Sequence, residues 1–299
     1  MLRAYRPHAA FVAPARAVPV RLDRVVIAIL LIEAIYGLMI GALARLLDSL
    51  PGGTLADAYY AGDTAGGLLL QLCSFALLAL ATALVVHRLH GRTPITLIGP
   101  PSLVLSDFRA ALIGVAVLLV AVEILPPWQA VPDAQMRDPA VWTLLLAPAL
   151  LAILVQTGAE ELLYRGYLQQ QIAARFAHPL VWLTVPNVLF ALAHIDNGAD
   201  AASSAQYVIW AFAFGVAASD LTARTGSLGA AFAFHLANNA YAFLFWAEDG
   251  GFDSGLALML YPAPPEGLPP QDAVLTAWLA IDLVVVWLMW LAARVALRR

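Results

Sequence analysis

Two adjacent glutamates, Glu160 and Glu161, follow an uninterrupted apolar run and precede Arg165 by one helical turn, and they are the residues in this chain whose type and spacing first point to chemistry. On a helix, Glu161 and Arg165 share a face and can ion-pair, whereas Glu160 is rotated about 100° from Glu161. The two carboxylates therefore take different roles. Glu161 and Arg165 support the helix, and Glu160 is the free base, able to take a proton from water and return it to a leaving amine. By itself the run reads equally well as a charged turn at a membrane edge. Two more groups change that balance. One apolar run ends in Phe190–Ala191–Leu192–Ala193–His194, and another contains His235–Leu236–Ala237–Asn238–Asn239, with His235 and Asn239 on one helix face. A lone histidine in an apolar helix is usually structural; two of them, with an asparagine at i+4 and a glutamate pair on a further helix, make the parts of a hydrolase. One glutamate can activate water, one histidine can position it directly or through a metal, and a His–Asn pair can donate to a developing oxyanion.

The elements that must hold these residues are apolar and long. With 62% hydrophobic residues, 12% charged residues and a mean hydropathy of +0.80, the 299-residue chain has more apolar surface than a water-soluble core of that size buries, so its solvent is lipid. Runs near the length needed to cross a bilayer predict an all-α, polytopic transmembrane bundle of about eight spans, at 25–44, 66–86, 108–125, 141–156, 180–194, 207–221, 227–246 and 273–295. Leu50–Pro51–Gly52–Gly53, Pro126–Pro127 and the proline-rich stretch 261–270 punctuate them. The chain divides into an Arg-rich segment (1–24), N-terminal membrane helices (25–140), a core carrying the motifs (141–247), and a loop with the last helix (248–299). Every basic side chain other than histidine is Arg, and a nucleic-acid partner is not expected. The single cysteine, Cys73, rules out an intramolecular disulfide framework and a CxxC metal knuckle.

With the N-terminus inside, all arginines but Arg45, Arg137 and Arg165 of the motif fall on the cytoplasmic side, and the loop holding Glu248, Asp249, Asp253, Glu266 and Asp272 falls outside. Both termini are thus expected in the cytoplasm, in a membrane of bacterial plasma-membrane type. The first run, with its Arg-rich lead and Ala42–Leu43–Ala44, also imitates a signal peptide, although its long n-region favours a retained span. Four other intramembrane acids, Glu33, Glu123, Asp220 and Asp282, read as paired or snorkelling side chains, with Asp220 able to pair with Arg224. One tension remains: Glu160 falls near the inner end of its run and His194 near the outer end of its own. It is relieved if Pro148 starts the helix, 141–147 is interfacial and the helix continues past Arg165 to about Ala174.

The motifs Glu160–Glu161…Arg165, Phe190…His194 and His235…Asn239, in this order on separate helices, resemble the signature of the CAAX-processing and bacteriocin-self-immunity (CPBP, or Abi) proteases. Arg224–Thr225–Gly226–Ser227–Leu228 resembles the family's lead-in to the last motif, and the likeness covers about 141–247. The resemblance implies an intramembrane endopeptidase acting on a membrane-associated substrate: a prenylated C-terminal peptide, a secreted peptide precursor or a membrane-protein fragment. Glu160 would be the general base, His194 would orient water or bind metal, and His235 with Asn239 would form the oxyanion site. Glu160, His194 and His235 could alternatively hold zinc, and the chain's lack of HExxH leaves that choice open. A catalytically silent scaffold or sensor of the same fold and a secondary transporter are the alternatives; a transporter would normally show repeated halves, which this chain lacks.

Overall fold

In the computed structural model, residues 3–125, 133–263 and 273–299 are described; Pro126–Pro127, Glu266, Asp272 and most of the proline-rich stretch lie outside them. Among the described residues, ten α-helices make up most of the fold. They are α1 (Arg6–Arg16), α2 (Leu22–Asp48), α3 (Thr54–Ala61), α4 (Ala65–His90), α5 (Pro101–Ile124), α6 (Pro139–Arg175), α7 (Pro179–Leu192), α8 (Ala201–Thr225), α9 (Gly229–Leu244) and α10 (Ala277–Leu297). Among the described residues six are long and apolar enough to cross a membrane: α2, α4, α5, α6, α8 and α10. Each of the eight predicted runs falls on a helix, but α7 and α9 span only 14 and 16 residues. At 1.5 Å per residue they reach about 21 and 24 Å, less than the roughly 30 Å of a hydrocarbon core. These two short helices carry or lead into the histidine motifs.

Two chemically distinct ends are tied together by hydrogen bonds. At the basic end, Arg16 donates to the Ala173 carbonyl (3.4 Å), Arg92 to Gln170, Arg224 pairs with Asp220 (2.6 Å) and Arg299 donates to the Thr225 carbonyl (3.1 Å). Gly226, in the left-handed region at φ +74°, ends α8 there and lets α1 approach, since a Cβ on it would lie 2.8 Å from the Pro7 carbonyl oxygen. At the opposite end, Arg137 donates to the carbonyls of Gly255 (2.9 Å) and Ser254 (3.2 Å), and Glu123 accepts from Tyr241 (2.8 Å) and Trp246 (2.9 Å). That end also carries a small sheet the sequence did not announce, of strands β1 (Gln135–Met136), β2 (Trp246–Glu248) and β3 (Met259–Tyr261) in the order β1-β3-β2. β1 is antiparallel and β2 parallel to the central β3.

The expectation that Pro148 starts α6 is corrected. Asp138 caps the helix by accepting from the Ala140 N–H (2.8 Å), Pro139 occupies its first turn, and Pro148 lies inside it. The helix persists through Pro148 because both flanks are held: Trp142 donates to the Leu244 carbonyl (3.0 Å), and Ala149, Ala152 and Ile153 are buried. As expected, α6 runs past Arg165, ending at Arg175 through a π-helical stretch, Leu162–Gln169. Its 37 residues make it about 55 Å long, with Glu160 near the middle rather than at an end.

Candidate active site

The depth mismatch between the motifs disappears in the α6–α7 hairpin. Glu160 lies fifteen residues before Arg175, and His194 fifteen after Pro179, so each is about 22 Å from the shared turn at the basic end. Because α7 is short, His194 stops within the bundle. α9 contributes His235 and Asn239, and the three helices meet between two apolar clusters. One is built on Phe190, Phe214 and Phe234, the other on Ile32, Val85 and Leu163, and Tyr164 packs against both.

The two glutamates are separated as their helical positions require. Glu161 is fully buried, and its Oε1 accepts from Arg165 (2.8 Å) and lies 2.8 Å from Nδ1 of His235. Arg165, also fully buried, lies over the Phe190 ring at 4.4 Å, where the ring face stabilises the cation. Glu160 instead lines a cavity of about 500 Å³ together with His194, His235 and Asn239. It is 7% exposed; Oε1 accepts from Gln156 (2.7 Å), and Oε2 has no hydrogen-bond partner among the described residues and lies 3.6 Å from Nε2 of His235.

Each histidine's partner assigns its tautomer. A carboxylate at Nδ1 of His235 requires a proton there, so the imidazole presents Nε2 towards Glu160. The Phe190 carbonyl, 2.7 Å from Nδ1 of His194, likewise accepts a hydrogen bond from a protonated Nδ1, which leaves Nε2 of the neutral ring with a lone pair. Phe190 is 1% exposed and organises both rings, with its centroid 4.6 Å from that of His194 and 6.1 Å from that of His235. This accounts physically for an aromatic residue one turn before His194.

Asn239 is tied down rather than free. Its amide donates to Gln156 Oε1 (2.8 Å) and its Oδ1 accepts from Asn238 (3.0 Å). Gln156 thus bridges Asn239 and Glu160, a role the sequence reading missed although a polar residue at i−4 from Glu160 in an apolar helix was its signal. Missed too was the support behind Arg165. Asn187 is fully buried and donates to Ser219 Oγ (2.8 Å), and Gly215 leaves room beside it, because a Cβ there would lie 2.5 Å from Asn187 Oδ1 and 3.1 Å from an Arg165 nitrogen. No local sequence pattern marks that contact. Asp220 pairs with Arg224 as expected, while Glu33, expected to be paired or snorkelling, makes no hydrogen bond or ion pair among the described residues and lines the same cavity as Glu160.

Two imidazoles and a carboxylate are donors suited to zinc. The structure does not gather Glu160, His194 and His235 into a ligand set, and among the described residues no three His, Cys, Asp or Glu side chains are grouped to hold an ion.

Residues 141–241 match the family described as type II CAAX prenyl endopeptidase Rce1-like. Among curated proteins, the uncharacterized protein YyaK of Bacillus subtilis (strain 168) is 30% identical over 153 residues, which cover 48% of this chain and 46% of that protein. The match therefore spans about half the length of this curated relative. No solved structure matches the chain.

Proposed function

From the premise that this membrane protein carries an Rce1-like segment at residues 141–241, we propose that it is an intramembrane endopeptidase that hydrolyses a peptide bond with water activated by Glu160. The observation that carries the reading is the division between the glutamates. Glu161 is sequestered with Arg165 and His235, whereas Glu160 lines a cavity shared with both histidines and Asn239 and keeps one carboxylate oxygen, Oε2, without a hydrogen-bond partner among the described residues.

In this mechanism Glu160 Oε2 takes a proton from water as the water oxygen attacks the scissile carbonyl. His194, whose Nδ1–H is committed to the Phe190 carbonyl, accepts a hydrogen bond from that water at Nε2 and orients it. His235, held by Glu161, places Nε2 beside Glu160, where the proton can pass towards the leaving amine. The Asn239 amide has a second N–H with which to meet the developing oxyanion while the first holds Gln156. These steps use the chain's own side chains.

The orientation that goes with this reading puts the basic end and both termini in the cytoplasm, in a membrane of bacterial plasma-membrane type. The test is a cleavage screen of membrane-protein and peptide substrates with purified wild-type protein and Glu160→Gln. Wild-type cleavage abolished in a variant of equal thermal stability is the expected result. Turnover retained by Glu160→Gln removes the general-base role, and a wild type inert towards the whole panel favours a catalytically silent scaffold.

A further inference from the structure

Glu33 lies twelve residues into α2, in the middle of a membrane-crossing helix, and is exposed there without an ion pair or hydrogen bond among the described residues. A charged side chain at that depth is costly unless water, the bundle or a bound partner solvates it. Its surroundings supply no cation. The cavity it lines also displays Glu160 and Asp253, and no arginine is among its lining residues. At the end opposite the basic one, the acidic end for its Glu123, Glu248 and Asp253, this cavity shares Tyr207, Ala242, Phe243 and Asp253 with a second cavity of about 650 Å³, where Glu248 adds a further carboxylate and again no arginine contributes. The two neighbouring cavities thus display four carboxylates, Glu33, Glu160, Asp253 and Glu248, with the imidazoles of His194 and His235 beside Glu160 and no arginine, a lining that favours positively charged ligands.

A metal ion alone does not account for the shape. The two volumes greatly exceed one ion, and the cavity that Glu33 lines also has aromatic walls, including Tyr36, Phe75, Trp210 and Phe243. Such walls suit the aliphatic stem of an arginine or lysine whose charged head reaches a carboxylate. We infer that Glu33 is a specificity-determining residue that receives a basic side chain of the peptide whose neighbouring bond is presented to Glu160, and that this peptide enters from the acidic end. The inference rests on the cavity being the substrate site of the proposed endopeptidase. Glu33 touches the substrate's charge and takes no part in bond cleavage.

The experiment uses the full-length protein in detergent micelles and short apolar peptides identical except for one central residue, Arg, Gln or Glu. Binding is read by quenching of cavity tryptophan fluorescence, and cleavage by product formation. The wild type is expected to bind the Arg peptide about tenfold more tightly than the Gln peptide, the Glu peptide least, and to cleave them in the same order of kcat/KM. In Glu33→Gln the Arg-over-Gln preference collapses towards unity, and in Glu33→Arg it reverses in favour of the Glu peptide. A wild type that binds all three peptides equally, or a preference unchanged in both variants, overturns the inference. Cleavage fails separately: wild-type protein that discriminates the peptides in binding but cuts none of them refutes the endopeptidase reading and leaves Glu33 as a cation-recognising residue. Quenching by calcium or sodium chloride alone, with no discrimination among the peptides, also overturns the inference and assigns Glu33 to an ion.

Discussion

His235 stands between the two glutamates, with Nδ1 2.8 Å from Glu161 and Nε2 3.6 Å from Glu160. One imidazole thus joins a fully buried ion pair to the carboxylate that faces the cavity. Glu161 holds the ring and fixes its tautomer, and the other nitrogen is delivered to Glu160. Damage on the Glu161 side therefore acts on folding first, and damage on the Glu160 side acts on chemistry.

Replacing Glu161 with Gln removes the charge facing an Arg165 that has no exposure to solvent. An uncompensated buried guanidinium costs about 3 kcal/mol. Glu161→Gln is expected to melt well below wild type in detergent and to be recovered in lower yield, with Glu160→Gln close to wild type in both respects. Equal melting temperatures for the two variants would contradict the division of roles.

Gln156 is expected to act as a positioning residue, since it holds Glu160 on one side and Asn239 on the other. Gln156→Leu should lower kcat by about a hundred-fold through misplacement of the base, with KM little changed. Combined with Asn239→Ala, the loss should be much smaller than the product of the two single losses, because both changes break the same bridge. Fully multiplicative losses in steady-state kinetics would show that the residues act independently.

Gly215→Ala tests the hidden support behind the ion pair. Its methyl group would lie 2.5 Å from Asn187 Oδ1, so Asn187 or the α8 backbone must move. Overpacking of this kind costs about 1–3 kcal/mol. A lowered melting temperature together with reduced turnover is expected, and thermal denaturation indistinguishable from wild type would show that the contact is slack.

The amino-terminal helix supplies a pH-dependent contribution outside the membrane-crossing helices. His8 is buried against Trp182 with Nε2 accepting from Gln169 (3.3 Å), and burial, aided by Arg16, pushes its imidazole down from 6.5 to about 3. Folding therefore favours the neutral ring. Its contribution is fully present above pH 6.5, where the unfolded chain is also neutral there, and is lost progressively as pH falls from 6.5 towards 3, reaching about 2 kcal/mol by pH 5. His8→Phe should flatten the decline in melting temperature between pH 7 and pH 5; a decline as steep as wild type would remove His8 as its source.

Composition and hydropathy were sufficient for the all-α membrane architecture, because a chain this apolar cannot be solvated by water and its backbone must then satisfy itself within helices. Local periodicity was likewise sufficient for the Glu161–Arg165 pair and the separation of Glu160, since both are contained within one turn of helix. Depth and partnership were beyond its reach. The early start of α6 depends on a cap at Asp138 and on packing across Pro148, and the shortness of α7 and α9 is visible only once their ends are seen to pack. Gln156, Asn187, Gly215 and Glu33 acquire their roles from helices far away in the chain. An i, i+4 pattern records which side chains share a face, whereas only the packed bundle decides what that face meets.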